Sequence, residues 1–231
     1  MEQTGWNYKN WVNNGRNIYV FRDTIHSSQE IQDIIYNEAT DKINSSQFDV
    51  LFIEGSEGKI KALNGSRSVC KKAMLNKKSP EYERVFKYMS GAAAKLYLDM
   101  MNRINNNTFS IYGVDSYELI REQIKELNKL AQMDFGLETI DPSDLIDDIN
   151  DNMDYIVEER SAYAVDSINK YMKELGINSA GLIFGNGHIN DITEGFKKNG
   201  IGYASFYPGR SIPSADEFML YILAHMNAIS K

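Results

Sequence analysis

Short apolar runs alternate with stretches of helical periodicity along most of the chain, and this alternation restricts the fold more than any other feature. Residues 17–21, 48–53, 109–114, 180–184 and 201–206 are rich in β-branched and aromatic side chains and read as strands. Between them, apolar residues recur at helical spacing. Ile31, Ile34, Ile35 and Ala39 mark a helix over 28–43. A second opens at Pro80, carries Tyr82, Val85, Phe86, Met89, Ala93, Leu96, Tyr97 and Met100 on one stripe, and breaks at Asn105, Asn106 and Asn107. Tyr117, Ile120, Ile124, Leu127 and Ala131 mark a third. Asp141 as N-cap and Pro142 as first helical residue open a fourth, which runs through Ile146, Ile149, Met153, Ile156, Ala164, Ile168, Tyr171 and Leu175 to Gly176. A short helix is expected around Ile192 and Phe196, and a closing one over 215–229.

Strand–helix alternation favours an α/β fold with a largely parallel or mixed central sheet covered by helices on both faces. The two helices between 116 and 176 have no strand between them and read as a helical insertion or cap. The N-terminal segment with Trp6, Tyr8 and Trp11 reads as an aromatic arm, and residues 55–79 as a polar loop. With 231 residues, 42% of them hydrophobic, and no repeat or linker, a single domain over 1–231 is expected.

The net charge of −7 argues against a nucleic-acid binder, which normally carries a basic face. A single cysteine, Cys70, cannot form an intramolecular disulfide or a cysteine-based zinc site. No run approaches the roughly 20 apolar residues that span a bilayer. No basic start or apolar stretch marks a signal peptide, so a cytoplasmic address is expected by elimination.

In open α/β sheets, ligands bind outside the carboxyl ends of the strands. The residues there are Asp23 and His26 after the first strand, Glu54 after the second, Asp115 after the third, and Asn186 with His188 after the fourth. Two of the three histidines thus fall at strand ends. Glu54 closes a fully apolar run, where an unpaired carboxylate is costly. Arg160 lies on the apolar stripe of the long helix, four residues from both Ile156 and Ala164, with Glu159 at the margin. A Glu159–Arg160 pair aimed at the sheet edge is expected there, since buried charges require partners. Each feature has a structural alternative: His26 in a loop cap, Glu54 as a cap, Arg160 with its head in water. Their coincidence at one edge favours a site. The acidic run Asp141, Asp144, Asp147, Asp148, Asp151 and Asp154 lacks calcium-loop spacing, and no P-loop, H-E-x-x-H or G-x-S-x-G motif is present.

The order of these residues resembles the superfamily of TraB/PrgY proteins, Tiki proteases, erythromycin esterases and ChaN-like haem-binding proteins. Asp23-Thr24-Ile25-His26 is similar to its first G-x-x-H motif, with Asp at the glycine position. Ile53-Glu54-Gly55 resembles its acidic strand end, Glu159-Arg160-Ser161 its E-R-N segment with Ser for Asn, and Gly185-Asn186-Gly187-His188 its second G-x-x-H. The likeness runs from about Ile18 to Phe206.

The resemblance implies a hydrolase of ester or peptide bonds or a haem binder. In the metal-assisted version, His26, Glu54 and His188 hold a divalent Mn, Co, Zn or Fe ion. In the metal-free version, His26 is the general base and Glu54 orients it. In both, Glu159 holds Arg160, which binds a substrate carboxylate or polarises a carbonyl, while Asp23, Asp115 and Asn186 contact the substrate. The alternatives are haem or small-ligand binding through a histidine, and a degenerate family member acting as a binding module. The expected partner is a small-molecule or peptide substrate. The aromatic arm and the last helix (Phe218, Leu220, Tyr221, Leu223) offer a surface for homo-oligomer formation.

Overall fold

The computed structural model describes residues 5–9, 15–26, 28–60, 72, 75–76, 78–80, 82, 89–103, 109–132 and 142–209. The chain runs β1 (Gly5–Lys9), β2 (Asn17–Asp23), α1 (Gln29–Asn44), β3 (Val50–Ile53), β4 (Glu57–Lys59), α2 (Gly91–Arg103), β5 (Ser110–Val114), α3 (Tyr117–Gln132), α4 (Pro142–Leu175), β6 (Ser179–Gly185), a 3-10 turn (Asn186–His188), α5 (Ile189–Lys198) and β7 (Gly202–Tyr207). Among the described residues, seven strands form one mixed sheet in the order β1-β7-β2-β6-β3-β5-β4. The five central strands are parallel, and β1 and β4 are antiparallel edges.

Chain direction decides which helix covers which face. From β2 the chain moves to β3 and then β5, and α1 and α2 pack on one face through Ile31, Ile35, Ala93 and Tyr97 against Phe21, Leu51 and Ile183. It then returns from β5 to β6 and β7, and α4 and α5 pack on the other face through Ala164, Ile168, Ile192 and Phe196 against Val20, Phe52 and Leu182. Right-handed crossovers in opposite directions must lie on opposite faces, which gives three layers. Strand β3 is buried at every residue because both its faces are covered. Each such large apolar side chain contributes about 1.5–3 kcal/mol.

Local signals set the element ends. Ser28 caps α1 by accepting the Ile31 N–H at 3.4 Å, and Ser116 accepts the Leu119 N–H at 3.4 Å at the start of α3. Helix α4 stops at Gly176, whose φ of 65° allows its N–H to reach Lys173 O while Ile177 N–H reaches Met172 O.

The five expected strands are the five parallel ones, but three expectations need correction. The aromatic arm contains β1, because Trp6 packs on Tyr19, Phe21 and Phe206 at ring distances of 5.4, 5.3 and 5.3 Å. The polar loop after Glu54 begins with β4, a short edge strand without an apolar pattern. The helix expected from Pro80 through Met100 is not continuous: Met89 and Ser90 are outside helix, and Ser90 caps α2 by accepting the Ala93 N–H at 3.2 Å. The Asn105–Asn107 break, Asp141 and the closing helix over 215–229 lie outside the described residues. In the 116–176 segment, the C-terminal half of α4 forms part of the second core face. No helix among the described residues is long and apolar enough to cross a membrane.

Candidate functional site

The carboxyl ends of β2, β3, β5 and β6 bring Asp23, Glu54, Asp115 and Gly185 to one edge, and α4 delivers Arg160 to it from the second helical layer. Glu54 is the centre. Its Oε2 accepts the Gly185 N–H at 2.5 Å, and its Oε1 accepts Arg160 Nη2 at 2.8 Å. His26 Nε2 lies 3.9 Å from Oε2, and His188 Nε2 lies 3.7 Å from Oε1. The two imidazoles therefore turn the same nitrogen toward one carboxylate.

Their outer nitrogens are held in place. His26 Nδ1 lies 2.8 Å from Asp23 Oδ2, and the other Asp23 oxygen accepts Gln32 Nε2 at 2.8 Å. The Ser161 hydroxyl donates to Val157 O at 2.7 Å, which leaves its oxygen as an acceptor for His188 Nδ1–H at 3.0 Å. Val157 O is a second acceptor for that nitrogen, at 3.2 Å. Such backing bonds select the tautomer that presents Nε2 inward. The His188 and Phe184 rings meet nearly perpendicular, with 5.0 Å between the ring centres.

The rings differ in environment. The His188 side chain is 7% exposed, whereas that of His26 is 48% exposed and is the ring open to solvent. Burial pushes the His188 imidazole below its ordinary value, with the Arg160 charge acting in the same direction, and the Glu54 and Asp115 charges only partly offset this. For His26, desolvation also acts downward, but the Asp23 hydrogen bond and the charges of Asp23 and Glu54 outweigh it and raise the imidazole to about 9. Burial acts upward on Glu54, yet the charges of His26, Arg160 and His188 and the Gly185 N–H hold its carboxyl down at about 2.

Arg160 is 6% exposed and engaged on all sides. Its Nε and Nη2 grip Asp115 at 3.0 and 2.5 Å, Nη2 also holds Glu54, and Nη1 donates to Gln123. Asp115 is fully buried and also accepts the Gly55 N–H at 3.0 Å. The expectation that Glu159 holds Arg160 is corrected: Glu159 is exposed, one residue around the helix from the buried stripe, and Asp115 and Glu54 are the carboxylate partners. Arg160 thereby clamps the ends of β3 and β5 together through Glu54 and Asp115. Asn186 accepts Arg22 Nε at 2.8 Å at the periphery.

Three contributors were not among the expected site residues, although Ser161 and Gly185 stand in motifs that carry the resemblance. Gln32 interrupts the buried Ile31, Ile35 and Ala39 face of α1, a polar residue on an apolar stripe that was a readable signal. Ser161 stands beside Arg160, but its bond to His188 joins residues 27 apart and had no local signature. Gly185 leaves no room for a side chain, since a Cβ there would lie 2.9 Å from Glu54 Oε2 and 3.4 Å from His26 Nε2.

His26, Glu54 and His188 are residue types that ligate metals, with Nδ1 of each ring backed and Nε2 turned inward, but among the described residues no three His, Cys, Asp or Glu side chains are grouped so as to hold an ion. A metal would share Glu54 Oε1 with the Arg160 guanidinium, however, and would replace a proton that Asp23 and Glu54 stabilise on His26. No family model, curated protein or solved structure matches the chain.

Proposed function

We propose that the chain is a hydrolase of ester or peptide bonds, acting through His188 and His26 on either side of Glu54. The observation that carries this reading is the convergence of both Nε2 atoms to within 3.9 Å of opposite Glu54 oxygens, with each Nδ1 tied to its own acceptor. The environments shift the two rings in opposite directions, the arrangement that assigns acid and base roles. His188, neutral at pH 7, accepts a proton from water as its oxygen attacks the carbonyl carbon. Glu54 stabilises the imidazolium that forms. His26, charged at pH 7, donates its Nε2 proton to the leaving oxygen or nitrogen as the scissile bond breaks. Proton exchange through the Glu54 region then resets both rings. This reverses the expected role of His26, from base to acid.

A second reading, metal assistance, draws on the same inward Nε2 atoms: His26, Glu54 and His188 would hold the ion, and the ion would supply an activated water. The test is hydrolysis of small 4-nitrophenyl esters and a peptide library by the purified chain, with and without a chelator. Hydrolysis is expected to survive the chelator and to fall about 100-fold in His188→Gln and in His26→Gln. Loss with chelator and recovery with Mn, Co or Zn would move the assignment to the metal reading. No hydrolysis of any probe, together with a Soret band on adding haem, would move it to ligand binding.

A further inference from the structure

A hydrogen-bonded path connects the first turn of α2 to the His26 ring. Gln32 is 2% exposed, and its Oε1 accepts the Ala92 N–H at 2.8 Å. A backbone N–H can face only the carbonyl end of an amide, so this contact decides which way the amide lies. Nε2 is then directed at Asp23 Oδ1, 2.8 Å away, and its second hydrogen at Ile25 O, 3.4 Å away. Asp23 Oδ1 is thereby occupied, and Oδ2 is left facing His26 Nδ1 at 2.8 Å. Helix α2 also presses on the hydrocarbon part of Gln32: a Cβ at Gly91 would lie 3.1 Å from its Cγ.

We infer that Gln32 is a positioning residue, which transmits the seating of α2 through Asp23 to His26 and holds that ring with Nδ1–H toward Asp23 and Nε2 toward Glu54. Gln32 touches no reacting atom. Two hydrogen bonds on opposite ends of one buried amide join a helix of the first layer to the site. The placing of α2, 60 residues downstream in sequence, therefore adjusts the setting of His26. The inference depends on the hydrolase reading only for its kinetic consequence.

The experiment is ring-nitrogen NMR on the full chain, with the His26 Nδ1–H resonance assigned by its loss in His26→Gln. Gln32→Met keeps the volume of the side chain and removes its three hydrogen bonds. The expected result is a cooperative thermal transition, loss or broadening of the His26 Nδ1–H resonance, and a kcat for 4-nitrophenyl acetate lowered about tenfold at unchanged KM. An unchanged resonance in folded Gln32→Met would overturn the inference. If that variant does not fold, Gly91→Ala displaces Gln32 from α2 without touching Asp23 or His26. The same resonance must then shift, and an unshifted one overturns the inference. A resonance that responds to Gln32→Met, together with a wild-type chain that lacks esterase activity, supports the positioning role and removes the hydrolase reading.

Discussion

The backbone N–H of Gly185 donates to Glu54 Oε2 at 2.5 Å, so the end of β6 grips the carboxylate at the end of its neighbour β3. Gly185 has φ −56° and ψ 137°, a conformation any residue adopts, so substitution tests space alone. Gly185→Ala is expected to displace Glu54 and, under the proposed hydrolysis, to lower kcat/KM about 100-fold. Stability should fall by only about 1–3 kcal/mol, read by urea unfolding.

Removing Arg160 leaves Glu54 and Asp115 without their shared cation. Arg160→Met is therefore expected to cost about 3–5 kcal/mol, because an uncompensated buried charge remains. Arg160→Lys should recover part of this, since an ammonium cannot reproduce the forked contact with Asp115. Equilibrium denaturation of the three proteins checks the order.

Stability should also depend on pH in two windows. The Glu54 carboxyl is held at about 2 against 4.5, so its contribution is complete above pH 4.5 and lost as pH falls toward 2. Glu54→Gln should flatten that acid limb. His26 is raised from 6.5 to about 9, so its contribution is complete below pH 6.5 and lost as pH rises through 9. His26→Gln should flatten the alkaline limb, by an amount reduced because solvent reaches half of the side chain. Thermal melts from acid to alkaline pH measure both.

Under the proposed hydrolysis, the base is neutral His188 and the acid is charged His26. A bell-shaped kcat/KM profile is expected, with an acid limb below pH 6.5 and an alkaline limb near 9. Glu54→Gln removes a charge that favours the His26 imidazolium and should move the alkaline limb downward. A profile that keeps rising beyond the His26 value of about 9 would contradict the assignment of His26 as acid.

Ser161→Ala should be mild. Val157 O, 3.2 Å from His188 Nδ1, remains as an acceptor and keeps the tautomer of the ring. A loss of less than about tenfold in kcat is expected, against about 100-fold for His188→Gln.

The parallel strands and the positions of His26, Glu54, Asp115 and His188 were legible because period and residue type both act locally. The edge strands β1 and β4 were not, because their pairing depends on β7 and β5 and their own residues carry little pattern. Arg160 was legible as a charge on an apolar stripe, but its partner was not. Proximity in sequence suggested Glu159, while the fold supplied Asp115 and Glu54, 45 and 106 residues away. Gln32 offered a signal of the same kind as Arg160, without a charge to draw notice.

The Arg160 clamp has a consequence for the order of folding. Until α4 docks, the sheet edge holds Glu54 and Asp115 with no guanidinium between them, and their mutual repulsion opposes early closure of that edge. The clamp closes loops of 106 and 45 residues at once, contacts of the kind that form late because chain entropy opposes them. Completion of the sheet edge and seating of the long helix are thus one event, and a chain caught before it has strands but no working constellation.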